Sequence, residues 1–162
     1  MKRNVSLKIT SSQYVENLVP SGEAFKRELE LEDSVEVLTE GVLYNKENYT
    51  YITYDESEQL GTEEAKTVLK LSHADGSKKV LTIRRYGKND DEDMDMMLQK
   101  GIRNITRYKI PNVGSLDIEV YTLSLEDTLD EEGYGTISVD YRLKFDQFYS
   151  RRNKLTVEIN PN

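Results

Sequence analysis

The chain contains no cysteine and no tryptophan, and only one histidine, three prolines and three phenylalanines among its 162 residues. The lack of cysteine excludes disulfides, thiol nucleophiles and thiolate metal sites, and it points to a reducing, cytoplasmic setting. A single histidine, His73, leaves no multi-histidine metal site. Beside the Asp75–Gly76 turn signal it reads as a surface residue. No apolar run approaches the roughly 18 residues that cross a bilayer. The opening MKRNVSLKIT is basic, but no apolar stretch follows it as a signal peptide requires. Positive charge is also short. Lys and Arg number 22 against 30 Asp and Glu, for a net charge of −8. Such a chain repels phosphate backbones and anionic membranes, so neither nucleic acid nor membrane is an expected partner. No P-loop, dinucleotide fingerprint or nucleophile elbow occurs, and no cofactor is expected.

What is present is a period of two. In TISVDYRLKF, Ile137, Val139, Tyr141, Leu143 and Phe145 take one face and polar residues take the other. That is a half-buried antiparallel strand. Leu155, Val157 and Ile159 repeat the pattern, as do Leu116, Ile118 and Val120, and Leu81 with Ile83. About ten strand candidates follow one another, separated by turn signals. NKEN (45–48) reads as a tight turn, ADGS (74–77) carries Asp-Gly, and EEGYG (131–135) precedes the cleanest strand. Residues 15–33 read as a polar connection with a possible short helix. Gly41, Gly87 and Gly114 fall where bulges or barrel corners need glycine. Consecutive hairpins make an up-and-down meander, and closure into a barrel removes its edges. The expectation is an all-β fold, one domain over 1–162, as an antiparallel up-and-down β-barrel of about eight to ten strands.

Eleven tyrosines against three phenylalanines suit a half-wet interior. YTYITYDESEQLG (49–61) sets Ile52, Tyr54 and Glu56 on one face and Tyr49 and Tyr51 on the other, the latter under the 15–33 connection. Parity places Arg85 with Leu81 and Ile83, facing inward. A buried arginine needs partners, and Glu56, Tyr54 and Tyr141 are the candidates. The group is either a structural ion pair that plugs the barrel or an anion-binding floor; general principles favour the plug. NDDEDMD (89–95) spaces Asp91, Asp93 and Asp95 like the start of a calcium loop. Met96 replaces the required glycine and Ile102 the twelfth-position glutamate, so a solvated hairpin tip is the better reading. EDTLDEE (126–132) receives the same reading.

The run TEGVLYNKENYTYITYDESEQLGTEEAKTVLKL resembles the YwiB-like family of small bacterial proteins, a domain of unknown function. LTIRRYG, LQKG, YKIPNVGSLDIEVYT, EEGYGTISVDYRL and NKLTVEI continue the likeness in order, from about residue 34 to the end. The resemblance implies a lipocalin-like (calycin-like) barrel and no established activity. The leading expectation for function is non-catalytic binding of a small molecule in the barrel, an acidic one if Arg85 anchors it, through Arg85, Glu56, Tyr54 and Tyr141. The alternative is a protein–protein interaction module whose barrel is filled by its own side chains. Catalysis ranks third, because carboxylates without a spacing rule identify no acid–base pair.

Overall fold

The computed structural model describes residues 2–46, 48–55, 66–72, 79–86, 94–110, 114–145 and 150–162. Every regular element in them is a strand. In order these are β1 Lys2–Ser21, β2 Ala24–Asn45, β3 Tyr49–Asp55, β4 Lys66–Ser72 and β5 Val80–Tyr86. Then follow β6 Met94–Leu98, β7 Arg103–Ile110, β8 Gly114–Asp127, β9 Gly135–Lys144 and β10 Ser150–Pro161. They form one ten-stranded sheet in the order β6-β5-β4-β3-β2-β1-β10-β9-β8-β7. All its neighbours pair antiparallel.

First and last strands pair with each other, as a closed meander requires, from Val5 with Pro161 to Tyr14 with Arg152. The expected closure fails elsewhere. β6 and β7 are the two ends of the sheet and share no ladder among the described residues. The turn between them explains this. Gly101 takes a left-handed φ of 77°, and its N–H donates across to the Thr122 carbonyl of β8 at 2.8 Å. β6 and β7 are instead tied by a side chain: Asn104 Nδ2 donates to the Met97 carbonyl at 3.1 Å.

The 15–33 segment is neither a loose connection nor helical. It is the far part of the β1–β2 hairpin, with Tyr14 paired to Leu31 and Ser21 to Ala24. The Leu-Glu alternation at 28–32 decides for strand, and Gly22 closes the turn at φ 62°. The register slips at Glu32, with Gln13 facing Asp33 and Tyr14 facing Leu31. A bulge of this kind bends its strand and strengthens the twist.

The core is the inner face of the sheet. Val5, Leu7, Leu43, Ile52, Leu71, Leu81, Leu98, Val120, Ile137 and Ile159 are fully buried in it. At Gly41 an added Cβ would lie 2.7 Å from both Leu7 Cδ1 and the Thr53 carbonyl oxygen. Only glycine allows that approach of β3 to β2. A second bulge, at Leu123, shifts the inner face of β8 from Ile118, Val120 and Thr122 to Leu125.

The NKEN turn is tight as expected, with Lys46 N donating to the Tyr49 carbonyl at 2.8 Å. The tyrosines beyond it divide by face. Ile52 is buried and Tyr54 packs on the core, while Tyr51 lies 6.2 Å from the rings of both Tyr44 and Tyr49. Lys70 Nζ covers Tyr49 at 4.5 Å and Tyr51 at 5.7 Å. Their cover is thus each other and a lysine of β4, in place of the expected 15–33 segment.

Candidate functional site

Tyr54 and Arg85 belong to a single row across the sheet. Gly41 faces Tyr54, Tyr54 faces Thr67, Thr67 faces Arg85 and Arg85 faces Met94. The row lies on the inner face: Thr67 is buried, Tyr54 and Met94 pack on the core, and Arg85 is half-buried. The parity of Leu81, Ile83 and Arg85 accounts for the arginine's position. Glu56 lies outside the described residues, as do His73, Asp91 and Asp93.

Tyr141 sits on a different wall, with β9 five places from β4 in sheet order. It also faces inward and belongs to the core cluster. Its own row runs from Thr122 on β8 through Tyr141 to Asn153 on β10. All three side chains are buried. Thr122 Oγ1 and Asn153 Nδ2 have no hydrogen-bond partner among the described residues, and neither has Thr106 Oγ1 on β7. Desolvation alone pushes the Tyr141 hydroxyl up to about 12, so it stays protonated through the physiological range. Buried polar groups are usually paired, and an unpaired one costs about 1–3 kcal/mol. β7, β8 and β10 therefore present hydrogen-bonding capacity that no described residue uses. Both polar rows lie toward the barrel end from which the β1–β2 hairpin extends. The other end is closed by leucine, isoleucine and valine.

Sequence parity led to Arg85, Tyr54 and Tyr141 but missed Thr122, Asn153 and Thr106. The signal was available for two of them. Asn153 is one alternation before Leu155, and Thr122 is one after Val120. Threonine and asparagine are polar, so the count of apolar residues on each face passes over them.

Beside Arg85 the wall is open. A cavity of about 660 Å³ occupies the gap between β6 and β7, lined among the described residues by Arg84, Arg85 and Arg107, by Asp95, and by Tyr86, Met94, Met97, Asn104 and Ile105. Among the described residues no group of three His, Cys, Asp or Glu side chains is placed to hold a metal ion. The EDTLDEE loop is more than a solvated tip. Asp130 Oδ1 accepts from the backbone N–H groups of Glu132 at 2.9 Å and Tyr134 at 3.0 Å. Asp127 Oδ2 pairs with Lys79 Nζ at 2.6 Å. These carboxylates shape the turn. No helix among the described residues is long and apolar enough to cross a membrane, which says nothing of membrane β-barrels.

Comparison with known proteins agrees with this architecture. The chain is 29% identical over 126 residues to the uncharacterized β-barrel protein YwiB of Bacillus subtilis (strain 168), covering 78% of this chain and 80% of that protein. The crystal structure of the ywiB protein from Bacillus subtilis superposes with a TM-score of 0.69 at 22% identity, over 99% of this chain and 93% of that one. At that identity the superposition speaks for the fold alone. The sequence pattern described as domain of unknown function DUF1934 matches residues 23–157, and the chain belongs to that family.

Proposed function

We propose that this protein is a non-catalytic binder of a small molecule bearing an acidic group, held in the polar end of a lipocalin-like barrel and working in the cytoplasm. The observation that carries the reading is the buried row Thr122–Tyr141–Asn153, in which Thr122 Oγ1 and Asn153 Nδ2 lack partners among the described residues. A bound molecule with matched acceptors and donors would satisfy them. Arg85, with Tyr54 in the same row, supplies the positive end and borders the opening between β6 and β7. An arginine fork suits a carboxylate or phosphate, because it offers parallel N–H donors to two oxygens. The cavity beside Arg85, which the Thr122–Tyr141–Asn153 row does not line, falls within the usual range for small-molecule sites, roughly 300–1,000 Å³. Catalysis has less support, since no described carboxylate stands in the polar band with Tyr141.

The test is calorimetric titration with a panel of small mono- and dicarboxylates and phosphate esters. At least one class should bind. Arg85→Ala should weaken it at least ten-fold, and Thr122→Val or Asn153→Leu should weaken it independently. Because Arg85 borders an open cavity, Arg85→Ala should cost less than the roughly 3–5 kcal/mol of a dry ion pair broken on one side. A loss of that full size, with no acid bound by the parent protein, would make Arg85 a structural plug and overturn the reading.

The second reading, an interaction module, draws on a different feature. The apolar end of the barrel is filled by its own leucines and isoleucines, while the distal β1–β2 hairpin holds apolar side chains out in solvent.

A further inference from the structure

The inner-face row that holds Tyr141 runs further than its buried part. Asn153 faces Gln13 of β1, and Gln13 faces Asp33 of β2. Gln13 keeps the inward alternation of Val5, Leu7 and Ile9. From Thr122 outward the row reads hydroxyl, phenol, amide, amide and carboxylate, and exposure rises along it. Thr122, Tyr141 and Asn153 are buried, Gln13 is half-buried and Asp33 is exposed. Neighbouring strands lie about 4.8 Å apart, so the neutral groups from Thr122 to Gln13 span about 14 Å at the backbone.

Mostly apolar rows flank it. Leu125, Val139 and Leu155 form the next row on one side. Val120 and Leu143 form the next on the other, ending at Arg151, which Glu32 holds at 2.7 Å. A molecule on this wall therefore meets one line of hydrogen-bonding groups between hydrocarbon surfaces. The buried part of the line carries no charge. Asp33, at the outer end, accepts from the Ser34 N–H at 2.9 Å.

Each neutral group in the line both donates and accepts. A threonine or tyrosine hydroxyl has one O–H and its lone pairs, and an asparagine or glutamine amide has N–H donors and a carbonyl acceptor. Thr122 Oγ1 and Asn153 Nδ2 have no partner among the described residues. An alkyl chain laid on them would shut out water and leave both unpaired. That is how a site built for a hydroxyl rejects the analogue that lacks it. A hydroxylated carbon chain brings a donor and an acceptor at each carbon, and it keeps C–H surface for the leucines and valines on either side.

We propose that the acid bound by this barrel is a polyhydroxylated one, a sugar acid or a sugar phosphate, with its hydroxyls on Thr122, Tyr141, Asn153 and Gln13. The inference rests on the small-molecule reading above and narrows it. Arg85 selects for the acidic group, and the neutral row selects against alkyl and aromatic acids.

Calorimetric titration of the full chain with matched pairs tests it: gluconate against hexanoate, and glucitol 6-phosphate against hexyl phosphate. Within each pair the acid and the carbon count agree, and only the hydroxyls differ. The hydroxylated member of at least one pair should bind roughly ten-fold more tightly or better. Thr122→Val and Asn153→Leu should each reduce that ratio about three-fold or more, by weakening the hydroxylated member and sparing the alkyl one. Neither change removes a hydrogen bond to a described residue from Thr122 Oγ1 or Asn153 Nδ2, so both variants should fold, and thermal melts will verify it. Gln13→Met supplies the same readout at a half-buried position. An alkyl acid that binds as tightly as its hydroxylated partner in both pairs overturns the proposal and leaves the acid reading standing. So does a ratio unmoved in all three variants. If none of the four binds, the proposal falls, and if no acid of the wider panel binds either, the acid reading falls with it.

Discussion

The hydroxyl of Tyr141, pushed up to about 12 by burial, couples the fold to alkaline pH. Unfolded tyrosine ionises near 10, so between that value and about 12 the unfolded chain has lost a proton that the native chain still holds. Stability then falls as pH rises through this window, by up to about 2–3 kcal/mol for this residue, and is fully present below it. Tyr141→Phe should remove that part of the alkaline loss. At neutral pH it should change stability by less than about 1 kcal/mol, because no hydrogen bond to a described residue is given up. Urea melts at pH 7 and near pH 11 check both statements; an unchanged alkaline slope in the variant would contradict them. Gly41 makes a steric demand of a different kind. Gly41→Ala forces a methyl group against Leu7 and the Thr53 carbonyl. The carbonyl belongs to the β2–β3 ladder and cannot retreat freely. A loss of about 1–3 kcal/mol is expected from such overpacking, read as a lower denaturation midpoint at unchanged slope.

At the scale of the element, the distal β1–β2 hairpin is an arm that depends on charges taken out of water at its root. There Glu16 accepts from Arg142 Nε at 2.9 Å and Arg142 Nη2 at 3.2 Å. Asp140 holds Arg152 by two bonds, at 2.7 and 2.8 Å, next to Arg142, which faces Arg152 across the ladder. Glu16→Ala would leave Arg142 without its carboxylate beside this second guanidinium. The expected cost is about 1–3 kcal/mol, the range for a partly buried hydrogen-bonded charge that loses its partner. Faster hydrogen exchange should appear at the arm's amides, 15–31, and leave β9 and β10 unchanged. Equal protection of the arm with and without Glu16 would show that its direction is set by backbone pairing alone. The arm was only half legible in the sequence. Alternation of leucine and glutamate at 28–32 signalled strand, but the polar character of 15–33 read as a connection. Nothing local says that Glu16 will meet Arg142, 126 residues away.

Over the whole molecule, the one discontinuity in the sheet among the described residues lies between β6 and β7. Backbone amides on the facing edges of β6 and β7 should exchange with solvent well before those of β1, β9 and β10, which are paired on both sides. Slow exchange on both edges would mean that the ladder closes in solution. The sequence pointed to a meander and closure was the economical way to hide its edges, yet the gap depends on where the 99–102 turn sends its N–H groups. One of them, from Gly101, goes to β8.

Residue parity by itself determined that the chain outside 15–33 is built of antiparallel strands, that Leu81, Ile137, Val157 and their neighbours form the interior, and that Arg85, Tyr54 and Tyr141 face inward. A strand's side chains alternate by covalent geometry, so an apolar period of two identifies the buried face without reference to any other strand. Tertiary structure alone decided which strands become neighbours, where bulges at Leu123 and Glu32 reverse the alternation, and that Thr122, Tyr141 and Asn153 fall into one row. Those outcomes depend on register between segments distant in the chain. Register is fixed by the sum of many cross-strand contacts, and no stretch of sequence carries it alone.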